Sequence, residues 1–399
     1  MNERLRNVPD LPTHYLTEEQ QALADQAYKF FFSEFHHLNA EMDDTDDLPT
    51  SVFPKLGEMG YLGLNVSPEY GGVGLDFTSA CVITEELSRA SAAIGLSHVA
   101  HDNLCVNNIY RNANHELRRK YLPGLCSGKL IGALGLTEPG AGSDALGSMR
   151  TTARKDGEDY ILNGSKIFIT NGPIADIVLV YAKTSPEKGA KGISAFIVET
   201  ATPGFTVAQK LNKMGFRGSP TGELVFEDCR VPAKNIVGRL DGGVAVTMSG
   251  LDLERAIVCF TAIGIARQAL EISIDYAKTR QQFGKPIASF QMVQAMLAEM
   301  YTEIEAARSL SLKTAAMCEG LEEGGGGRGE IHKLTAAAIF KAAASTSFVL
   351  DRAVQIHGGS GYMRDTEVNR LYRTGRVLEV GAGTQEVRKL IISSELLKT

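Results

Sequence analysis

The spacing of apolar positions changes twice along the chain. From about Thr17 to Leu125 they recur three or four apart, in ALADQAYKFFFSEF, FPKLGEMG, ACVITEELSRASAAIGLSHVAH and HELRRKYLPGL, with Gly or Pro at the breaks. That is the period of amphipathic helices. Thr17, followed by Glu18, Glu19 and Gln20, reads as a helix N-cap with an acidic first turn. SPEYGGVGLD reads as a turn-rich loop between two of these helices. Alternation then takes over in TTARKDGEDYILNGSKIFIT, where DGED signals a hairpin turn, and continues through DIVLVYAKT, GISAFIVET, GFTVAQKL and GELVFEDCRVP. Short strands at such close spacing predict a compact antiparallel β-barrel or sandwich. From Gly243 the helical period returns in three long stretches, two of them separated by GLEEGGGGRGE, a flexible connector between antiparallel helices. The pattern predicts an α+β multidomain chain: an N-terminal helical domain over 1–131, a central β domain over 132–242 and a C-terminal helical bundle over 243–399.

Composition narrows the function classes. A chain of 399 residues with 44% hydrophobic and 22% charged residues is ordinary globular material for two or three domains. With 41 basic against 47 acidic residues the net charge is −6, and no run of Lys or Arg offers a nucleic-acid or anionic-membrane surface. No uncharged apolar stretch reaches the roughly 18 residues of a membrane span. The start, MNERLRNVPDLP, has no apolar h-region, so no targeting segment is expected and the location expected is cytoplasmic. The six cysteines show no CxxC and no close spacing, which disfavours zinc and a disulfide framework. His98, His101 and Asp102 in HVAHD form the nearest approach to a metal cluster, but they lack HExxH and a further ligand, so no metal is expected.

Four segments can carry chemistry. No Walker loop and no GxGxxG is present, so a nucleotide cofactor would need a cradle other than a Rossmann fold. Gly132 to Ser148, GALGLTEPGAGSDALGS, combines glycines with the Thr137 and Ser143 hydroxyls, which can hold a phosphate or a polar ring edge; it reads equally as an interdomain loop. In KIFITNGP, Phe168 and Thr170 share a strand face that could stack on and hydrogen-bond a flat cofactor, unless it is a core strand ended by an Asn-Gly turn. Glu254 lies on a helix face with Leu251, Ile257 and Val258. Burial of such an acid raises its pKa, as proton abstraction beside a carbonyl requires; the alternative is an ion pair with a cation from another segment. Finally, QIHGGSGYM and EVGAGTQEVRKLI are Gly-rich turns beside helices, the second with an N-cap at Thr384 whose free N–H groups suit an anion or carbonyl oxygen. His357 reads better as a structural histidine than as a catalyst.

LTEPGAGSD, IFITNG, TRQQFG, QIHGGSGY and AGTQEVRKLI occur in the order and spacing of the acyl-CoA dehydrogenase family, which the chain resembles over nearly its whole length. The resemblance implies an N-terminal helical domain, a central β domain, a C-terminal four-helix bundle, FAD, an acyl-CoA substrate, an electron-transferring flavoprotein as acceptor, and a homotetramer. GLSHVAHDNLC, MSGLDLER and EVGAGTQEVR resemble the isovaleryl-type branch. Most relatives carry the catalytic Glu in a Tyr-Glu-Gly-Thr string; here that string is Gly381-Ala382-Gly383-Thr384, and the isovaleryl type places its base on the helix, at Glu254. The reaction implied is α,β-dehydrogenation of a short branched acyl-CoA, with isovaleryl-CoA the leading candidate. The base takes the α-proton and a hydride passes to flavin N5.

By the same likeness FAD contacts fall on Leu134, Leu136, Thr137, Gly142, Ser143, Phe168, Ile169, Thr170, Thr384, Gln385 and Glu386. Arg280, Gln291, Gln355, Ile356, His357, Gly358 and Gly359 correspond to positions touching the FAD of a neighbouring subunit. Substrate contacts fall on Ser143, Ser219, Pro220, Asp252, Leu253, Glu254, Arg255, Ala382 and Gly383. Phe168 stands where the family commonly has Trp, and Ala245 replaces a larger residue near the CoA arm. An acyl-CoA oxidase or related flavoenzyme on this fold, a citronellyl-type or straight-chain substrate, and a catalytically silent acyl-CoA-binding protein are the alternatives.

Overall fold

The computed structural model describes residues 16–319, 321 and 326–398. The readings of the chain start and of most of the Gly-rich connector fall on 1–15, 320 and 322–325, outside the described residues. The N-terminal third comprises α1 (Glu18–Glu34), α2 (Asn39–Thr45), α3 (Val52–Glu58), α4 (Phe77–Ala90), α5 (Ala92–Val99), α6 (Asn108–Asn112) and α7 (His115–Cys126), with a π-helical stretch at Ala100–Asn107. Thr17 caps α1 as expected: its hydroxyl accepts the Gln20 N–H at 3.2 Å while the Gln20 side chain accepts the Thr17 N–H at 3.1 Å.

The central third holds β1 (Gly132–Gly135), β2 (Thr152–Asp156), β3 (Asp159–Thr170), β4 (Ile177–Lys183), β5 (Ile193–Glu199), β6 (Phe205–Lys210), β7 (Thr221–Pro232) and β8 (Ile236–Val237). They form one eight-stranded sheet, ordered β6-β7-β3-β2-β4-β5-β8 with β1 on β4. The sheet is mixed, a correction to the antiparallel expectation: β1 runs parallel to β4, and β2 meets β4 in parallel at Thr152 and Lys183. The reason is the long excursion from β1 to β4, through a loop and the β2–β3 hairpin, which serves as the crossover that parallel pairing needs. β4 is buried on both faces. Ile177, Leu179 and Tyr181 pack with α7 residues such as Tyr121 and Leu125, whereas Val178, Val180 and Ala182 join Phe196, Leu224 and Phe226 on the other side.

The C-terminal third contains α8 (Gly243–Thr279), a small hairpin of β9 (Gln281–Gln282) and β10 (Lys285–Pro286), α9 (Gln291–Cys318), α10 (Gly329–His357), α11 (Gly359–Tyr362), α12 (Glu367–Gly375) and α13 (Gln385–Leu396). The long helices α8, α9 and α10 share one apolar cluster, and α13 joins α10 where the Gln385 side chain donates to the Phe340 carbonyl at 3.2 Å. α8 and α10 are long and apolar enough to cross a bilayer, but most of each is buried among other elements, as in core helices.

α4 packs on α8 through Phe77, Cys81 and Val82. The crossing is close at Gly264, where a Cβ would stand 2.2 Å from the Glu85 carbonyl oxygen. Gly264→Ala is therefore expected to destabilise the protein by about 1–3 kcal/mol despite alanine's better helix propensity. A urea midpoint that rises instead would contradict this packing.

Candidate active site

α8 carries Glu254 on the expected stripe, with Ile257 and Val258 in the core and Leu251 half-buried. Glu254 is 9% exposed and makes no hydrogen bond or ion pair among the described residues. Burial pushes its carboxyl up to about 7, and the charges of Arg255 and Arg388 hold it from rising further. The ion pair that was the alternative reading is not formed.

Arg255 is also buried, and its Nη1 donates to Asp252 Oδ1 at 3.2 Å. The fully buried Asp252 carboxylate lies 2.7 Å from His332 Nδ1 and accepts the Gly327 N–H at 2.7 Å and the Thr335 hydroxyl at 3.3 Å. Burial opposes ionisation of Asp252, but the His332 and Gly327 bonds bring it below its ordinary value. Its side chain is thus spent on α10 and the strap before it, not turned toward a ligand. His332 was missed in sequence because nothing local marks a partner 80 residues away.

The second part of the site is the turn before α13. Ala382 and Gly383 adopt left-handed φ values of 53° and 87°, and the Ala382 N–H has no acceptor among the described residues. Thr384 caps the helix by accepting the Val387 N–H at 3.3 Å, which leaves the N–H groups of Gln385 and Glu386 at the helix start. Both ends of the Gln385 amide are occupied, one on Phe340 and the other accepting Arg388 Nη1 at 2.9 Å. The Gln385 side chain is therefore anchored within the protein, with its backbone N–H left at the helix start. Arg388, also missed in sequence, is fully buried and donates through Nη2 to the Gly381 carbonyl at 2.7 Å.

The third part is the end of β3. A register shift against β7 between Lys166 and Ile169 throws Phe168 outward, at φ 61° and 66% exposed, while Ile169 enters the core. Phe168 is thus not a core residue. Its neighbour Ile167 donates its N–H to the Thr137 carbonyl at 2.9 Å, which lays the glycine loop beside the ring. A buried pair unseen in sequence fixes that loop: Lys166 Nζ donates to Glu138 Oε1 at 2.8 Å, and Glu138 also accepts the Arg150 and Thr151 N–H groups at 2.6 and 3.0 Å. Leu134 and Leu136 are half-buried; Gly142 and Ser143 are exposed. The hydroxyls of Thr137, Ser143 and Thr170 form no hydrogen bond among the described residues. A Cβ added at Gly140 or Gly142 would meet nothing within 4 Å. An outward aromatic ring, unused hydroxyls, open glycines and a helix start fit a flat group that bears phosphates.

Other expected residues divide clearly. The Ser219 hydroxyl is fully buried and sits 2.8 Å from that of Ser97 on α5, and the Pro220 carbonyl accepts the Asn171 N–H at 2.7 Å, so the first ties the start of β7 to α5 and the second to the end of β3. Leu253 is in the core. Ala245 is exposed near the start of α8. Arg280 ends α8, about 39 Å along the helix from Glu254 at about 1.5 Å per residue. Gln291, at the start of α9, and the Gln355–Gly359 run lie at that same far end, where the buried His357 ring stacks on Tyr276 with centroids 4.4 Å apart. The structure does not bring them to Glu254 within one protomer. His357 Nδ1 also meets the Ala353 carbonyl at 2.8 Å, a structural role as expected. His98 and His101 bond the carbonyls of Tyr61 and Leu125, and Asp102 accepts the Gly63 and Leu64 N–H groups, so each is occupied by backbone.

Residues 17–129, 133–229 and 241–397 match, in turn, the acyl-CoA dehydrogenase N-terminal, middle and C-terminal domains. The chain is 43% identical to a mitochondrial isovaleryl-CoA dehydrogenase of Solanum tuberosum, over 97% of this chain and 92% of that one. Its fold is similar to butyryl-CoA dehydrogenase of Megasphaera elsdenii, with a TM-score of 0.90, 38% identity, and coverage of 96% of this chain and 99% of the other. It is also similar to PigA solved with FAD and proline, with a TM-score of 0.90, 30% identity, and coverage of 96% and 98%.

Proposed function

The chain belongs to the acyl-CoA dehydrogenase family, and from that premise we propose that it oxidises a short branched acyl-CoA, with isovaleryl-CoA the leading substrate and Glu254 the base. It is an acyl-CoA dehydrogenase whose cofactor is FAD. The observation that carries the finer reading is a buried, unpaired carboxylate on α8 that feels the charge of Arg388, which in turn holds a turn bearing only glycine and alanine.

Phe168 would stack on the flavin, with the Thr137, Ser143 and Thr170 hydroxyls and the start of α13 as polar contacts. When bound, FAD supplies the acceptor for the hydride leaving the β-carbon and one hydroxyl donor to the thioester oxygen. The remaining work falls to the chain. The Ala382 N–H donates to the thioester carbonyl oxygen, where negative charge grows as the α-carbon loses its proton. Glu254 receives that proton on its carboxylate, which must be ionised beforehand. Because its pKa lies at about 7, the oxidation rate should rise with pH through that value and fall about tenfold per unit below it. A flat single-turnover profile between pH 6 and 8 would count against this base.

A base arriving from α8 leaves the Gly381–Gly383 side open to a β-methyl branch, and Gly381 removes the bulky ring several straight-chain relatives carry there. One methyl in an apolar pocket is worth only about 1–3 kcal/mol, so discrimination should be partial. Ala245 could widen the CoA-side approach, which keeps citronellyl-type groups as a comparison. The test is kcat/KM for isovaleryl-, butyryl-, octanoyl- and citronellyl-CoA with an artificial acceptor. Isovaleryl-CoA should lead the panel, and a clear preference for octanoyl-CoA would refute the branched-chain reading alone.

The physiological acceptor in this reading is an electron-transferring flavoprotein. The oligomer is a homotetramer in which Arg280, Gln291 and the Gln355–Gly359 run complete the cofactor site of a neighbour. The distance of that group from Glu254 and the exposed Phe283, Met292 and Tyr362 support such an assembly.

A further inference from the structure

Arg388 is among the largest side chains that the fold buries completely, yet no carboxylate lies within 4 Å of it among the described residues. Burying a guanidinium without an ion-pair partner is costly, so its position calls for a compensating role. Two of its nitrogens are used: Nη1 on the Gln385 side-chain oxygen at 2.9 Å and Nη2 on the Gly381 carbonyl at 2.7 Å. Its Nε is buried and has no partner among the described residues. The groups that face it are Glu254, Arg255 and the Cys259 thiol from α8 and Glu379 from the turn before the loop.

The contact with Gly381 matters because of peptide geometry. The Gly381 C=O and the Ala382 N–H belong to one planar trans unit and point in opposite directions. Holding the carbonyl on Arg388 therefore aims the N–H the other way. That N–H is the unpartnered donor assigned above to the thioester oxygen.

Charge gives the second link. Glu254 is faced by Arg255 on its own helix, Arg388 on α13 and the buried Tyr181 phenol on β4. Arg255 already shares the Asp252 carboxylate, which His332 also contacts. Arg255 exerts the larger pull on Glu254, and Arg388, with no such counter-charge within bonding reach, adds a second positive field to it. Burial lowers its guanidinium only to about 10, which leaves it cationic at neutral pH.

We propose that Arg388 is a positioning residue that joins the two halves of the catalytic apparatus, aiming the Ala382 N–H through the Gly381 carbonyl and keeping Glu254 ionised at working pH. The inference rests on the reading of Glu254 as the base. Sequence pattern does not reveal it, because an arginine beside Lys389 in a short terminal helix has the look of a solvated face.

The test uses the flavin-loaded enzyme and two variants, Arg388→Met and Arg388→Lys. The pH dependence of anaerobic flavin reduction by isovaleryl-CoA is read beside the titration of the Glu254 carboxyl infrared band, defined as the band lost in Glu254→Gln. Arg388→Met should raise the midpoint of both titrations by about one unit or more, and so cut the rate at neutral pH by about fivefold or more. Its high-pH plateau should fall as well, by up to about 10²-fold if the oxyanion donor is lost. Arg388→Lys retains the charge without the fork, so its midpoint should stay near wild type while its plateau falls. If Arg388→Met does not fold, the lysine variant decides: a wild-type plateau overturns the aiming role, and a midpoint raised as though the charge were absent overturns the electrostatic one. A folded Arg388→Met with both titrations unmoved overturns the proposal. Normal flavin reduction by Glu254→Gln, in contrast, would remove the base assignment on which it stands.

Discussion

Replacing Glu254 by glutamine should lower kcat by about 10²–10⁴-fold while substrate and cofactor still bind. The amide keeps the size and shape of the carboxyl but cannot accept a proton at neutral pH. Nothing else in its surroundings can take over. Asp252 is locked to His332, Gly327 and Arg255, and the loop position that carries a carboxylate in other relatives is Ala382 here. The loss should therefore fall on the chemical step, with KM little changed. Stability should not suffer, because the wild-type carboxyl makes no hydrogen bond that the amide would forfeit. Steady-state turnover with an artificial acceptor, set beside urea unfolding of the same variant, checks both halves. A large loss of stability would mean that Glu254 carries a structural bond the fold does not show.

Lys166→Met should have the largest effect on stability, about 3–5 kcal/mol. Lys166 is fully buried, and its Nζ serves Glu138 Oε1 at 2.8 Å and the Leu136 carbonyl at 3.2 Å. Removing the cation leaves Glu138 buried with only the Arg150 and Thr151 N–H groups to stabilise its charge. Burial opposes ionisation of Glu138, and Lys166 is the chief influence that brings its pKa below the ordinary value. The damage should reach the cofactor, since this pair anchors the loop that lies beside Phe168. Urea unfolding and flavin content of the purified variant measure the two effects. Adding Glu138→Leu should recover much of the stability, because it removes the uncompensated charge; a double variant as unstable as the single one would contradict this account of the pair.

What the chain made legible follows from the range of the interactions involved. Glu254 could be found because the helical period placed it beside Leu251, Ile257 and Val258, a purely local relation. The α13 cap at Thr384 and the β2–β3 hairpin were local in the same sense. The parallel pairing of β1 was hidden because alternation gives a strand its faces but not the direction of a distant partner. Gln281 to Pro286 gave no strand signal in six residues. The π-helical stretch at Ala100–Asn107 carries no compositional mark. Lys166 and Glu138, His332 and Asp252, and Arg388 and Gly381 are polar pairs formed by tertiary packing, and each has partners that look unremarkable in sequence. Phe168 was visible as an aromatic in a strand, but only the register shift shows that it faces outward. Arg280 and Gln355 lie at the far end of α8 from Glu254, so one chain's geometry does not bring them to that carboxylate.

The central claim is that a carboxylate on α8, not one in the C-terminal loop, takes the α-proton of a branched acyl thioester. It is tested most directly by mixing isovaleryl-CoA anaerobically with wild-type enzyme and with Glu254→Gln, at a pH above 8, and following the loss of oxidised-flavin absorbance in a single turnover. The account predicts rapid bleaching in the wild type and, in the variant, spectral perturbation from binding with bleaching slower by about 10²-fold or more. Bleaching of Glu254→Gln at a rate near wild type would contradict it.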